Sequence, residues 1–482
     1  KIQSVYSLLE ESVFQVKLSR NSNFHPKLWV LKYSNEAGKS YIKLLVLSRN
    51  LTFDSSIDLC VAMRGEVKHA RRLKNKSLAD ILTFVGQYAK RAKQQQILSL
   101  AEDVMRVPTF EVEHPFEDYT FFPMGIPDYP GSDTKLFEQK YDLFAVSPFL
   151  SDNVVQQLTE NAGQKILVTR KSSVTKRTME AFDHVFITKD ILSDNEFGSK
   201  QDIHAKLYFT TTQDGNYLYI GSANASHNAF YRNVECLLRL KYKLNCIGMK
   251  TFTQDFLPSE NCPYEELTYI PEIPPADPSQ KLIDEALREA VYALKRADVL
   301  SNGTAYSIQI NAKELKTAEP VLIAPLQRQN LMTTLRPETV FDGLLLKEIS
   351  EFFILRVQSQ TLVVKVDTQG IPKDRDQAIY RGIIDSKAKF MTYLSFVLSE
   401  NPASFTAETD LLDDVLLCGN GRDGAGAATA AIYEKMLRVF HQNPNRLKGI
   451  ADMIRRLEPD VVGEDFVQMY QQFEAAAKKV RK

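Results

Sequence analysis

The sequence predicts a mixed α/β protein of more than one domain, with its chemistry in the first 265 residues, and three observations carry that expectation. A His-x-Lys…Ser-x-Asn pattern occurs twice, at His25/Lys27…Ser48/Asn50 and at His204/Lys206…Ser222/Asn224. Between residues 141 and 182, strand-like apolar runs alternate with helical ones, the pattern of a parallel or mixed sheet. A proline-rich stretch at 269–278 (YIPEIPPADP) reads as a linker, because proline removes a donor and favours extended chain. At 482 residues the chain exceeds one ordinary core, so two to four domains are expected.

Taken in order, strands are expected at 13–18, 27–33 and 41–47, then basic, polar helices at 68–76 and 78–105. A proline- and aromatic-rich connector spans 107–131. The pattern restarts with a strand at 141–146, the segment Ser147-Pro148-Phe149, and a helix opening at Ser151 or Asp152. A strand at 165–169 ends at Arg170, a helix follows near 175–182, and two hairpin runs carry His204 and Asn224. Past the linker come a helix at 280–300, strands at 305–310, 321–324, 352–357 and 362–366, and a helix at 385–398. After a Gly/Ala-rich loop at 419–428, helices are expected at 430–442, 445–457 and 463–479, with Ile432, Met436, Leu437 and Phe440 at helical spacing. The domains expected are 1–130, 131–265, a β-rich accessory domain at 280–400, and a small helical region at 401–482. The second copy has 63 residues from Tyr141 to His204, whereas only 24 precede His25, so about 40 residues equivalent to 141–176 are expected to lie upstream of the first copy.

Charge and cysteine content narrow the function. Lys+Arg and Asp+Glu number 60 each, for a net charge of +0, which speaks against coating nucleic acid by bulk charge and leaves a locally basic cleft open. The five cysteines (Cys60, Cys236, Cys246, Cys262, Cys418) form no CxxC pair, so no zinc knuckle or disulfide framework is expected, and the thiols fit a reducing, cytoplasmic compartment. There is no apolar run of about 18 residues, so no membrane association is expected.

The repeat is closer than its two motifs alone. FHPKLWVLKY…KLLVLSRNLTFDSSIDLCV is matched by IHAKLYFTTT…YLYIGSANASHNAFYRNVECLL. His to Asn spans 25 residues in the first copy and 20 in the second, the difference falling in a turn, where insertions are best tolerated. An acid follows on the next strand, Asp58 or Glu235. Such residues suit phosphodiester cleavage. One imidazole can attack phosphorus while a second protonates the leaving oxygen. Two ammoniums and two amides can hold the non-bridging oxygens as charge develops, and a carboxylate on each His would fix its tautomer. Strand period two puts His and Lys of H-x-K on one face.

In these residues the chain resembles the phospholipase D (HKD) superfamily, over roughly residues 1–260. The resemblance implies two phospholipase D-like α/β/α sandwich halves about a pseudo-two-fold axis, working without metal or cofactor through a covalent phosphohistidine. It implies that His25 is the nucleophile and His204 the general acid, that Lys27, Lys206, Asn50 and Asn224 clamp the phosphate, that Ser48 and Ser222 fill the family's serine position, and that Asp58 and Glu235 orient the histidines. His25 and His204 are expected to face each other within about one phosphate's reach. Two departures stand out. The family's Asp, five residues after the Lys, is Lys32 in one copy and Thr211 in the other, and the Gly before Ser is Gly221 in the second copy but Leu47 in the first. Loss of that Asp resembles tyrosyl-DNA phosphodiesterase and several nuclease branches.

The expected function is therefore a nuclease on DNA or RNA. The SRNLT form of copy one and the segments around Phe149 and 167–170 resemble HKD nucleases found with helicases and in restriction or phage-defence systems, which makes a helicase or another antiviral defence protein the expected partner. Two alternatives stand beside it: an enzyme hydrolysing or transferring lipid phosphodiesters, and a non-catalytic nucleic-acid-binding scaffold whose residues 265–482 bind a partner. The basic runs 68–76 and 170–177 are candidate phosphate-backbone contacts. Trp29, Phe230 and Tyr231 are expected in cores, and the GxGxxG match at 419–424 lacks the βαβ surroundings of a nucleotide loop.

Overall fold

The computed structural model describes residues 4–35, 38–50, 56–189, 203–244, 246–272, 278–303, 305–399, 424–442 and 445–480. The chain divides into two compact units, one of Gln15–Pro275 and one in which Lys1–Phe14 joins Ala276–Lys482. It is a mixed α/β structure with a helical C-terminal region.

The unit of 15–275 begins with an antiparallel three-stranded sheet, β1 (Leu28–Ser34), β2 (Ser40–Leu47) and β3 (Cys60–Glu66), in the order β1-β2-β3. Alternation along β2 sends Ile42, Leu44 and Val46 into the core and Lys43 outward, as period two requires. Helices α1 (Lys76–Gly86) and α2 (Arg91–Met105) cover the core side of this sheet, and Gly86 packs on Ile97 so that they close as a hairpin. Then come β4 (Phe116–Met124), β5 (Lys140–Val146), α3 (Asp152–Thr159), β6 (Ala162–Thr169), α4 (Lys176–Ala181), β7 (His184–Thr188), β8 (Leu207–Thr212), β9 (Gly215–Gly221), α5 (His227–Tyr231), β10 (Glu235–Tyr242), α6 (Met249–Phe256) and β11 (Tyr264–Glu266). Eight of these strands form one sheet, ordered β11-β7-β6-β5-β8-β9-β10-β4. Strands β5, β6 and β7 run parallel, joined through α3 and α4, while β8, β9 and β10 form an antiparallel meander like β1-β2-β3.

A single apolar core holds Ile42, Leu44 and Val46 of the small sheet together with Phe144, Phe209, Leu218 and Leu238 of the large one. A second core lies on the opposite face of the large sheet, where Leu143, Leu167 and Tyr208 meet Val154, Val155 and Leu158 of α3.

In the other unit, the 3-10 turn Ser4–Ser12 is held by Glu10, whose carboxylate accepts from Ser350 Oγ at 2.7 Å and from the Glu351 amide at 2.7 Å, and pairs with Arg375. The helix α7 (Pro278–Ala293) is followed by β12 (Leu294–Ser301), β13 (Tyr306–Ala312), β14 (Leu322–Pro325), β15 (Thr333–Thr334), β16 (Glu338–Leu344), β17 (Phe352–Val357), β18 (Gln360–Lys365) and β19 (Thr368–Gln369), arranged in two four-stranded sheets over one core. Helices α8 (Arg375–Ile383), α9 (Lys387–Leu398), α10 (Gly424–Gln442), α11 (Asn445–Arg456), α12 (Pro459–Val462) and α13 (Glu464–Val480) gather around Phe390, Met436, Ile450 and Phe466. Among the described residues no helix is long and apolar enough to cross a membrane.

Several local expectations are corrected. Residues 13–18 form no strand, and the Val13 carbonyl accepts from Lys365 Nζ. Residues 68–76 are mostly irregular, with only the 3-10 turn Leu73–Asn75, and the helix expected over 78–105 is the two helices α1 and α2. The helix expected to 300 stops at Ala293, where pairing with β13 turns Leu294–Ser301 into a strand, tertiary pairing overriding a weak helical preference. Trp29 and Tyr231 are not core, each being 42% exposed, whereas Phe230 is buried. Of the 419–424 motif only Gly424 is among the described residues, as the first residue of α10.

Candidate active site

The two H-x-K segments enter the unit through matching backbone contacts. Phe24 bridges Val234 in parallel and the His25 amide donates to the Val234 carbonyl at 2.9 Å, while Ile203 bridges Ile57 and the His204 amide donates to the Ile57 carbonyl at 3.2 Å. Each histidine is thus laid beside the strand start that carries the other copy's acid. The serines match as well. Ser48 Oγ accepts from the Leu59 amide at 3.0 Å, and Ser222 Oγ accepts from the Cys236 amide at 3.0 Å. This sets Asp58 equivalent to Glu235, each one residue before the amide its serine binds.

Nδ1 of His25 lies 3.0 Å from both carboxylate oxygens of Glu235, and Asn233 Nδ2 donates to Oε1 at 3.1 Å. Glu235 is 1% exposed and His25 37%, so a buried carboxylate orients a ring whose other edge reaches solvent. With a carboxylate at Nδ1 in the neutral ring, the proton belongs on Nδ1 and the lone pair on Nε2. Lys27 Nζ is 2.8 Å from that Nε2 and donates to the His25 carbonyl at 2.9 Å. In the second copy Lys206 Nζ donates to the His204 carbonyl at 2.6 Å. Asp58 accepts from Ser48 Oγ and, at 2.8 Å, from the Leu59 amide.

Both lysines are buried. Burial pushes the Lys27 ammonium down to about 8, with Glu235 and Asp58 opposing. Burial, then the neighbouring Lys27, pushes Lys206 down to about 8; Glu235 and Asp58 oppose and Arg170 adds to the shift. The cross-copy contacts, His25 on Glu235 and the His204 amide on the Ile57 carbonyl next to Asp58, bring residues of the two copies together here. Two ammoniums held close in a partly dehydrated site are suited to an anion.

Asn224 Oδ1 is buried with no hydrogen-bond partner among the described residues. Its loop is held by Tyr208, whose hydroxyl donates to the Ala223 carbonyl at 3.0 Å, and by Ser147 Oγ, which accepts from the Ala225 amide at 2.9 Å. Asn50 is exposed, and residues 51–55 that follow it are outside the described residues. The two positions where the resemblance implies an Asp are each held locally. Lys32 donates to Asp103 at 2.5 Å and Thr211 to Asp142 at 2.5 Å, so each position is tied to a neighbouring carboxylate. At Gly221 a Cβ would sit 2.2 Å from the Cys236 carbonyl, an approach only glycine permits.

Sequence reasoning missed two residues here. Asn233 buttresses Glu235, and Arg170, read as the first residue of a basic run, reaches His204: its NH2 is 3.2 Å from Nε2 and donates to the Ile203 carbonyl at 3.1 Å. Spacing within either motif could not reveal Arg170, which arrives from the end of β6.

No protein-family model matches the chain. No curated protein matches it either. Similar solved structures include NucT from Helicobacter pylori (TM-score 0.21, 17% identity, over 26% of this chain and 85% of that one). Polyphosphate kinase from Porphyromonas gingivalis matches at TM-score 0.28 and 11% identity, over 46% of this chain and 31% of that one. Phosphatidylserine synthase from Haemophilus influenzae Rd KW20 matches at TM-score 0.29 and 11% identity, over 52% of this chain and 68% of that one. Scores this low describe local likeness of strands and helices, and no activity follows from them.

Proposed function

We propose that residues 15–275 form a phosphodiesterase of the phospholipase D (HKD) type that cleaves DNA or RNA through a covalent phosphohistidine. The observation that carries this reading is the convergence of two H-x-K segments: the His25 amide meets the Val234 carbonyl beside Glu235, the His204 amide meets the Ile57 carbonyl beside Asp58, His25 pairs with Glu235, and Lys27 and Lys206 are both buried. Such a site binds an anion, and it holds two imidazoles next to that anion. One imidazole attacks phosphorus while the other protonates the leaving oxygen; water then releases the phosphoryl group. Lys27, Lys206 and the amides of Asn50 and Asn224 steady the non-bridging oxygens, a task that a metal ion performs in other phosphodiesterases. Ser48 and Ser222 fix the strand starts that carry Asp58 and Glu235.

The test is incubation of the purified protein with labelled single- and double-stranded DNA, RNA and phosphatidylcholine, with EDTA present. Cleavage of nucleic acid in EDTA is expected. Cleavage of the lipid alone would move the reading to lipid phosphodiesters, and binding of nucleic acid without cleavage would move it to a scaffold.

A further inference from the structure

Arg170 sits where the pseudo-symmetry of the site breaks. It ends β6, a strand of the parallel lead-in to the second copy, and β1-β2-β3 has no such strand beside it among the described residues. Its guanidinium is half-buried, stacks 4.7 Å above the centroid of the Phe149 ring, and points NH2 at Nε2 of His204 from 3.2 Å. A guanidinium donates and never accepts, and it does not give up its proton in a protein. Nε2 of His204 therefore meets it as a lone pair. The corresponding contact in the first copy is of another kind: Nε2 of His25 meets Lys27, 2.8 Å away, whose ammonium burial has brought down to about 8 and which can exchange its proton.

Resting on the phosphodiesterase reading above, we propose that Arg170 is a further catalytic residue, which presents His204 as the nucleophile and grips an oxygen of the phosphoryl group that His204 receives. The roles implied by the family resemblance are thereby exchanged, and His25 is the general acid. In the first step Nε2 of His204 forms the P–N bond as the P–O bond to the leaving oxygen breaks, and His25, entering the step as the imidazolium with Nδ1–H held on Glu235, passes its Nε2 proton to that oxygen. In the second, water attacks phosphorus, its proton goes to His25, and the P–N bonding pair returns to His204. Once phosphorus is attached to Nε2, its oxygens fall where NH2 of Arg170 already points, so the contact that orients the free imidazole becomes a contact to the phosphohistidine.

The experiment uses the full chain and a nucleotide p-nitrophenyl diester, whose leaving group needs little protonation. An acid-labile phosphoenzyme is expected in His25→Ala and not in His204→Ala. Arg170→Ala is expected to lower kcat by on the order of 10^2-fold, and added guanidinium to restore part of it, which a merely structural role would not allow. Arg170→Lys, which keeps the charge, is expected to fall between the two. A phosphoenzyme in His204→Ala alone, or in neither variant while wild type turns over, overturns the assignment, as does an unchanged kcat in both Arg170 variants. If wild type cleaves no diester, the phosphodiesterase reading fails by itself, and calorimetric binding of tungstate then decides for Arg170: weaker binding in both variants keeps it as an oxyanion ligand, and equal binding removes it.

Discussion

The first and second copies of the repeat supply matching contacts to one candidate site from unequal supports. In the second, β8-β9-β10 is embedded in an eight-stranded sheet, flanked by β5 and β4 and covered on its outer face by α3. In the first, β1-β2-β3 is a separate three-stranded sheet whose outer face carries Trp29, Leu31 and Tyr33, exposed by 40% or more. Trp29 and Tyr208 hold the same place, two residues after the lysine, yet Tyr208 is fully buried. Several of the short contacts around His, Lys, Ser and acid survive this difference because they are made to backbone or to the other copy. Among the described residues nothing in the first copy corresponds to what β6 delivers in the second, and Arg170 is the case in point.

The sharpest way to break the equivalence of the copies is to remove each histidine. His25→Ala and His204→Ala are each expected to lose at least about 10^3-fold in kcat on a natural diester with a poor leaving group, measured as initial rates. A variant that keeps near wild-type turnover would show that its copy is only scaffolding.

The unequal supports predict unequal stability. Tyr208→Ala removes a fully buried ring and the hydroxyl that holds the Asn224 loop, and is expected to destabilise the unit by about 3–5 kcal/mol. Trp29→Ala, at the matched but exposed place, is expected to change stability by less than about 1 kcal/mol. Denaturant unfolding of both variants checks this, and equal losses would mean that the outer face of the small sheet is covered in solution.

The two acids offer a finer distinction. Glu235→Gln keeps the shape but not the charge beside His25, and is expected to lower kcat by on the order of 10^2-fold. Asp58, whose carboxylate also serves Ser48 and the Leu59 amide, is expected to show a smaller kinetic loss in Asp58→Asn accompanied by a loss of stability. Parallel kcat and thermal melting measurements separate the two effects, and identical profiles would return the acids to equivalence.

The smallest expected effect is in pH. Lys27 and Lys206 lose their ammonium charge as pH rises through about 8, so phosphate clamping and kcat/KM fall above that pH. Stability moves the other way. Their folded values lie below the ordinary 10.5, so between about 8 and 10.5 the unfolded chain binds more protons and these groups' contribution to stability rises with pH. Lys140 is likewise depressed to about 8 by burial, at the start of β5, and gives the control. Lys140→Met should flatten part of the stability rise and leave the rate profile as in wild type; a shifted rate profile would tie Lys140 to the site.

Sequence alone singled out the candidate side chains of the two copies. Two H-x-K…S-x-N copies with a following acid name His25, Lys27, Ser48, Asp58 and their partners, because strand period two and a fixed turn keep such residues together whatever surrounds them. The β-rich and helical character of the C-terminal half was legible too, from alternation and from helical spacing. Only the tertiary structure decided the rest. That Glu235 serves His25, in the other copy, depends on the parallel bridge of Phe24 to Val234 across 210 residues of chain. That Trp29 is exposed depends on what covers a sheet face, and that residues 13–18 are irregular depends on whether a neighbouring strand is there to accept their hydrogen bonds. Arg170 reaches His204 only because β5 and β6 lie beside β8 in one sheet. Local spacing encodes what the backbone geometry of a single element fixes, whereas long-range pairing is set by the packing of whole layers, which no single segment contains.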